Sequence, residues 1–364
     1  MDIKKIVVQD FRNIELQELD FCPNINCISG GNGEGKTNLL DAIWYLSMTK
    51  SAFSPSDRFN FRHGCSSFAL SGLYGLPSAP DTRISIRVDG SGKKLRRDDK
   101  PYSRLADHIG LLPVVMVSPA DVAMVSETGE ERRKFCNAVL SQMSAEYLNS
   151  VQNYTRLLSQ RNAMLKNGNP DPQLLDVIES QMELHARPVY EMRSALSSDL
   201  SPLVQEFYSE ISGGKEQVSF SYRSDLDKGP LADMLRSRRE RDSILKYTGA
   251  GVQRDDFLFE LNGWPIRRCG SQGQQKSFLV ALKFAQYSLM KSRSGFAPML
   301  LLDDLFDKLD MGRVQNLLKM VAGNDFGQIF LSDSNKVRLS GIVDSITAER
   351  TYYEAKGGAF TRND

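Results

Sequence analysis

The sequence predicts an α/β fold interrupted by a helical insertion, and three stretches carry that prediction. Ile25-Asn26-Cys27-Ile28-Ser29 reads as a strand that runs into Gly30-Gly31-Asn32-Gly33-Glu34-Gly35-Lys36-Thr37. Helical spacing follows from Asn38 to Met48, with Leu39, Leu40, Ile43, Trp44 and Leu46 on one side. Far downstream, Met299-Leu300-Leu301-Leu302 is a continuous apolar run of the kind a fully buried parallel strand shows, and it ends in Asp303-Asp304. Between these stretches, Glu130 to Ile211 reads as two long amphipathic helices broken at Asn167-Gly168-Asn169-Pro170-Asp171-Pro172.

A chain of 364 residues that is 41% hydrophobic has enough apolar side chains for a sizeable core and two or three domains. Its 46 basic and 45 acidic side chains leave a formal charge of +1, so any nucleic-acid surface must be a local patch. Cys22, Cys27, Cys65, Cys136 and Cys269 lack the close pairing of a zinc site and suit a reducing compartment. The apolar part of Met1 to Val8 is too short for a signal peptide, and no run reaches the length of a membrane span. A cytoplasmic location is expected.

Taken in order, Ile3 to Gln9 and Ile14 to Phe21 read as strands joined by the polar corner Asp10-Phe11-Arg12-Asn13. Alternation from Phe68 to Val88 predicts further strands, and the turn Asp89-Gly90-Ser91-Gly92 precedes Lys93, Lys94, Arg96 and Arg97. A short strand, Val114 to Val117, leads to Ser118-Pro119-Ala120-Asp121, where a lobe boundary is expected. Residues 1–120 with 246–364 would form an α/β core, and residues 121–245 a helical arm. The second long helix carries Leu174, Ile178, Met182, Val189, Met192 and Leu196 on its inner side, with Pro188 at a candidate kink. A helix of about 30 residues spans about 45 Å, which makes a compact arm and not an extended coiled coil.

The chemistry starts at the glycine segment, which fits G-x-x-x-x-G-K-[ST] at Gly30, Gly35, Lys36 and Thr37. Backbone N–H groups of Gly30, Gly31, Asn32, Gly33, Glu34 and Gly35 would face phosphate oxygens, and the following helix adds its positive end. Lys36 would neutralise charge between the β and γ phosphates, and Thr37 would offer its hydroxyl to Mg2+. Asp303, delivered to the C-terminal end of a buried strand, would hold the same Mg2+ directly or through water. Asp304 would orient or deprotonate the attacking water. Ser271-Gln272-Gly273-Gln274-Gln275 precedes a helix from Phe278 to Leu289, on which Leu279, Leu282, Phe284, Ala285 and Leu289 are candidate packing positions. Alone, Ser271 is a helix N-cap.

The order of the motifs changes that reading. A serine-glycine element between the two nucleotide motifs is the arrangement of ABC-type ATPases, in which Ser271 and Gly273 would complete the site of a second copy. Asp307-Lys308-Leu309-Asp310 then occupies the place of a dimer-contacting loop. The fold class expected is therefore a P-loop ABC-type ATPase head with an inserted helical lobe. A guanine-reading Asn-Lys-x-Asp is missing, since Asn335-Lys336-Val337-Arg338 lacks the final aspartate, so the nucleotide expected is ATP. No serine, cysteine or histidine triad is apparent, and His63, His108 and His185 are too few for a histidine metal centre.

With these motifs in place, the chain resembles the RecF family of bacterial recombination-mediator ATPases, relatives of SMC and Rad50-like heads. The resemblance runs from Asp10-Phe11-Arg12-Asn13-Ile14 to about Asp310. Its specific parts are Ser118-Pro119-Ala120-Asp121, Glu130-Glu131-Arg132-Arg133, Leu158-Ser159-Gln160-Arg161-Asn162, Gln253-Arg254-Asp255-Asp256 and Ser271-Gln272-Gly273-Gln274-Gln275-Lys276. It implies an ATP-dependent homodimer with slow hydrolysis that binds single-stranded DNA and single-strand/double-strand junctions. It also implies that RecO and RecR are partners in placing RecA on gapped DNA, within the SOS response and replication-fork maintenance. By the same resemblance Arg12 and Asn13 lie near the adenosine or α-phosphate. Two positions depart from the family: Gln253 stands where histidine is usual, and Ser332-Asp333 supplies no switch histidine.

The alternative from another class is the ATPase subunit of a membrane transporter, which would require a switch histidine and a groove for a coupling helix. A purely structural SMC-like linker would need a longer arm. Candidate DNA-contacting clusters are Lys93, Lys94, Arg96 and Arg97; Arg132, Arg133 and Lys134; Arg156, Arg161 and Lys166; and Arg236, Arg238, Arg239 and Arg241.

Overall fold

The computed structural model describes every residue except 78, 128, 169, 306–310, 323–325, 345, 346, 348 and 364. The chain begins with β1 (Asp2–Phe11), β2 (Ile14–Asp20), β3 (Ile25–Ser29), α1 (Lys36–Met48), β4 (Phe68–Gly75), β5 (Thr82–Asp89), β6 (Gly92–Arg97), β7 (Lys100–Pro101) and β8 (Val114–Val117). The insertion follows as α2 (Ala123–Ser126), α3 (Gly129–Met143), α4 (Ala145–Asn167), α5 (Pro172–Ser212), β9 (Val218–Arg223), α6 (Leu231–Ser237) and α7 (Arg239–Leu245). The chain continues through β10 (Asp256–Leu261), β11 (Trp264–Pro265), α8 (Ile266–Cys269), α9 (Gln272–Ser294) and β12 (Met299–Asp303). It ends with α10 (Met311–Ala322), β13 (Ile329–Asp333), α11 (Lys336–Val343), β14 (Arg350–Lys356) and β15 (Ala359–Arg362).

Strict alternation builds the first sheet, ordered β2-β1-β4-β5-β6-β7 and antiparallel throughout. Ile6, Val8, Leu70, Ile84, Ile86 and Leu95 are buried on one face, while Arg83, Arg87, Lys94 and Arg96 point the other way into solvent. The second sheet, β15-β14-β3-β13-β12-β8, is parallel except for β15. Every residue of β3, β8, β12 and β13 is buried, as a parallel sheet covered on both faces requires.

Successive residues of these strands divide between two cores. Ile28, Met116, Leu301 and Phe330 pack with α1 and the first sheet, so α1 is enclosed between sheets and buried nearly all round. Cys27, Val115, Leu300, Leu302 and Leu331 pack with the helices of the insertion and α9. Each such leucine contributes on the order of 2 kcal/mol by leaving water.

The insertion differs from expectation in its helices. It contains three substantial helices, because α3 and α4 are separated at Ser144, which caps α4 through its hydroxyl. The last helix, α5, has 41 residues and spans roughly 60 Å, longer than expected because it continues through Pro188 and Pro202. Ile178, Met182, Val189 and Leu196 are buried as anticipated and Met192 partly so, but Leu174 is 49% exposed and Leu175 takes the inner position. A three-stranded sheet, β11-β10-β9, then pairs residues on either side of position 245, so it crosses the expected lobe boundary.

Two buried arginines organise the insertion. Arg161 on α4 bonds Glu179 on α5, Asp242 on α7 and the Thr248 hydroxyl. Arg193 on α5 donates to Asp255 at 2.6 Å, the Val252 carbonyl at 2.7 Å, the Tyr147 hydroxyl and Asn137. Burial pushes the Asp255 carboxyl above the usual carboxylate range, against the opposing pull of Arg193. Arg193→Met should therefore cost about 3–5 kcal/mol at neutral pH, read by urea denaturation, because it leaves Asp255 charged and buried. The deficit should shrink as pH falls, since protonating Asp255 in the folded state removes the orphaned charge.

Candidate functional site

The parallel sheet sets the site by bringing the ends of β3, β13 and β12 side by side. The glycine segment follows β3, Asp303 ends β12, and the register aligns Asp303 with Ser332 and Asp333 with Ser29. Ligands of open α/β sheets bind at this C-terminal edge.

Gly30 and Gly35 lie at φ 155° and 111°, a region that L side chains avoid. A Cβ on Gly30 would meet the Ala355 carbonyl oxygen at 2.5 Å, and one on Gly35 would meet the Asn13 amide at 3.0 Å. Gly35 caps α1, whose first turn has no acidic residue, so the positive end of the helix faces the loop uncompensated. Lys36 folds back to donate to the Gly30 and Gly31 carbonyls at 2.8 and 3.0 Å. The β14–β15 turn braces the loop, with the Gly357 N–H on the Glu34 carboxylate and the Gly358 N–H on the Glu34 carbonyl at 2.9 Å.

Thr37 Oγ1 donates to Asp303 Oδ2 at 2.8 Å, and Ser332 Oγ donates to Asp303 Oδ1 at 2.5 Å. A hydroxyl and a carboxylate in contact are hard oxygen donors that fit Mg2+. Ser332 Oγ also accepts from the Asp304 N–H at 3.2 Å, and Asp304 adopts φ 44°. Lys276 on α9 reaches the Asp304 carbonyl at 3.2 Å. Sequence reasoning assigned Ser332 no role; the lateral register that puts its hydroxyl on Asp303 is invisible without the strand order.

Arg12 and Asn13 sit beside the loop. Asn13 Nδ2 donates to the Gly33 carbonyl at 3.4 Å, and its Oδ1 accepts from Asn38 at 2.7 Å. Arg12 pairs with Asp41 at 2.7 Å and also bonds Asn38, Ser51, Ser54 and Asn60, tying the β1–β2 turn to α1. Burial raises the Asp41 carboxyl above the usual range, with Arg12 pulling against it. Asn38 and Asp41 were missed because nothing in their spacing separates them from a solvated helix face.

Ser271 is the N-cap of α9, joined to Gln274 in a reciprocal capping box. The helix thus starts six residues before the expected Phe278. Leu279, Leu282, Phe284, Ala285 and Leu289 are all buried. Gln274 also bonds Glu216 at 2.7 Å, and Arg313 on α10 reaches the Gly273 carbonyl and the Ser277 hydroxyl. Ser271 is exposed, and among the described residues Ser271 to Gln275 make no hydrogen bond to Gly30–Thr37. Asp307, Lys308, Leu309 and Asp310, the expected dimer-contacting loop, lie outside the described residues.

Several candidate DNA-contacting cations are structural. Lys93 lies 4.9 Å over the Tyr45 ring and 3.1 Å from Asp57, and Arg132 pairs with Asp256 at 2.8 Å. Arg133 bonds the Asp255 carbonyl, Arg161 is fully buried, Arg238 bonds the Gly249 carbonyl, and Arg239 is held by Asp176 and Glu179. Lys134 is spanned by Glu130 and Glu131. Gln253 is also internal, bonding Tyr154 and the Ala250 carbonyl. Lys94, Arg96, Arg156, Lys166 and Arg241 are exposed without an ion pair among the described residues.

A family model described as an AAA domain matches residues 5–181. The DNA replication and repair protein RecF of Phocaeicola vulgatus is 42% identical over 364 residues, covering 99% of this chain and 98% of that protein. The chain belongs to the RecF family. RecF of Porphyromonas gingivalis ATCC 33277 is 41% identical, covering 98% of this chain and 99% of its own. Among solved structures, the recombination mediator RecF-ATPrS of the RecFOR pathway matches with a TM-score of 0.89 at 25% identity, covering 100% of this chain and 98% of that one. The Smc head of Pyrococcus furiosus bound to ScpA matches with a TM-score of 0.58 at 13% identity, which shows the shared head fold. The P-loop ATPase head expected from the sequence is thus the fold of this RecF-family chain, and the transporter subunit is not favoured. Among the described residues no helix is long and apolar enough to cross a membrane.

Removing a hydroxyl that holds a metal ligand typically costs 10- to 100-fold in metal affinity. Ser332→Ala should lower the Mg2+ affinity of the nucleotide-loaded protein about 10-fold or more. Metal-free nucleotide binding should stay unchanged, as measured by isothermal titration.

Proposed function

We propose that this RecF-family chain is an ATP-controlled DNA clamp of recombinational repair, in which two copies close over bound ATP. The observation that carries the reading is a division of labour. Thr37 and Asp303 converge within one chain, while among the described residues the exposed Ser271 cap makes no bond to its own glycine loop. The α9 N-terminus, with Ser271 and Gly273, then suits the γ-phosphate held by a second copy.

Within each chain, the N–H groups from Gly30 to Gly35 cradle the phosphates, and Lys36 leaves its carbonyl partners to meet them. Arg12 and Asn13 shape the wall beside the α-phosphate and adenosine; Arg12, paired with Asp41, acts by position more than by net charge. Thr37 and Asp303 would hold Mg2+, which offsets charge on the transferred phosphoryl group. Asp304 orients the attacking water and accepts its proton, and Ser332 holds the backbone of Asp304 and the carboxylate of Asp303 in one arrangement. Hydrolysis is slow and stimulated by DNA, and it resets the clamp by opening the heads.

We assign an α/β lobe, residues 1–120 with 246–364, and a helical lobe, residues 121–245, coupled through the β9–β10 pairing. The ligand is single-stranded DNA and its junctions with duplex. The pathway named for the solved neighbours supports RecO and RecR as partners and RecA loading as the outcome, in the SOS response. A role in replication and repair supports a cytoplasmic location.

Gel filtration and DNA binding with and without ATP test the clamp. Lys36→Ala and Ser271→Arg should abolish ATP-driven pairing and the ATP-dependent gain in DNA affinity. Asp304→Asn should slow hydrolysis about 100-fold or more and accumulate the ATP-bound dimer. Pairing by Ser271→Arg at wild-type ATP concentrations would overturn the shared site.

A further inference from the structure

We propose that the open face of the first sheet docks an extended acidic peptide of a partner protein. Strand register places Gln9, Ala69, Arg87 and Lys94 in one row across this face, and Val7, Ser71, Ser85 and Arg96 in the next. The small residues in the middle of both rows leave a depression of about 420 Å3, floored by Val7, Ala69, Ser71 and Ser85. Arg87, Lys94 and Arg96 stand along one side of it and are exposed.

Charge is divided unevenly over the face. On the β2 side, Glu18 and Asp20 neutralise Lys5 at 2.6 and 3.5 Å. On the β5–β6 side, Asp89 lies 3.4 Å from Arg87, and Lys94 and Arg96 make no ion pair among the described residues. Two unpaired cations next to an apolar depression call for a ligand with carboxylates and an apolar side chain together. Lys94 and Arg96 are two residues apart on one strand, so their stems lie about 6.6 Å apart. Carboxylates at alternate positions of an extended peptide have the same spacing, and a leucine-sized side chain two residues beyond them shares their face and fills the depression.

Nucleic acid fits this face less well. Among the described residues no aromatic ring lines the depression, so bases have nothing to stack on, and a duplex contacted through its phosphates would leave the apolar floor unfilled. The surface lies outside the nucleotide site and does not depend on the clamp reading.

The test is fluorescence anisotropy of the full chain with a labelled decapeptide of two Asp-Ser-Asp-Ser-Leu repeats, which puts two carboxylates and a leucine on one face, a control with serine for each aspartate, and a short oligothymidylate. Lys94→Glu combined with Arg96→Glu should weaken the acidic peptide about tenfold or more, since two attractions become repulsions. Ser71→Trp, which fills the depression, should weaken it by a similar factor, and nucleotide affinity should be unchanged in both variants. The proposal fails if the wild type does not prefer the acidic peptide over the control, or if neither variant changes its affinity. It also fails if charge reversal weakens the oligothymidylate while Ser71→Trp leaves both ligands unaffected, an outcome that would make the face a nucleic-acid surface. Should Ser71→Trp lose nucleotide binding through misfolding, the charge-reversal pair alone decides.

Discussion

The Asp303 carboxylate is the constraint on which the site depends, because each of its oxygens is taken by a hydroxyl from a different segment. Thr37 comes from the helix after β3 and Ser332 from the end of β13, so one side chain links three segments far apart in the chain. That linkage requires β13 to lie between β3 and β12, and the order holds because all three strands are buried on both faces. A slip of one residue would exchange the Leu300 and Leu301 faces between the two cores and move Asp303 off its partners.

The buried arginines extend the same logic to the insertion. Asp255 and Asp256 open β10 and are held by Arg193 from α5 and Arg132 from α3. The strand so anchored leads through β11 and α8 to the Ser271 cap, so the position of an exposed helix start is tied to charges held inside. Such pairs are weak sources of net stability and strong sources of geometry.

Much of this was legible in the chain. Gly30 to Thr37 has a spacing that few other functions need, and Met299 to Asp303 has a composition that only a doubly covered strand tolerates. What could not be read is lateral order: no local pattern tells that Ser332 neighbours Asp303, or that Arg12 spends its charge on Asp41. Basic clusters misled for a related reason. Arg132, Arg161 and Arg239 look like surface charge in sequence, yet their carboxylate partners are 18 to 124 residues away. Leu174 and Leu175 lie four and three residues before Ile178, both steps that share a helix face, and only the structure shows that Leu175 is the buried one.

The C-terminal hairpin matters beyond the bonds it makes. Ala355 walls off Gly30, and Gly357 and Gly358 hold Glu34, so a hairpin 323 residues downstream supports the loop. Without β14 and β15 the central sheet lacks an edge and the glycine loop lacks its backing. The loop is therefore complete only once β14 and β15 are in place, and a chain without them would keep Gly30 to Thr37 and Asp303 and lack the wall behind them.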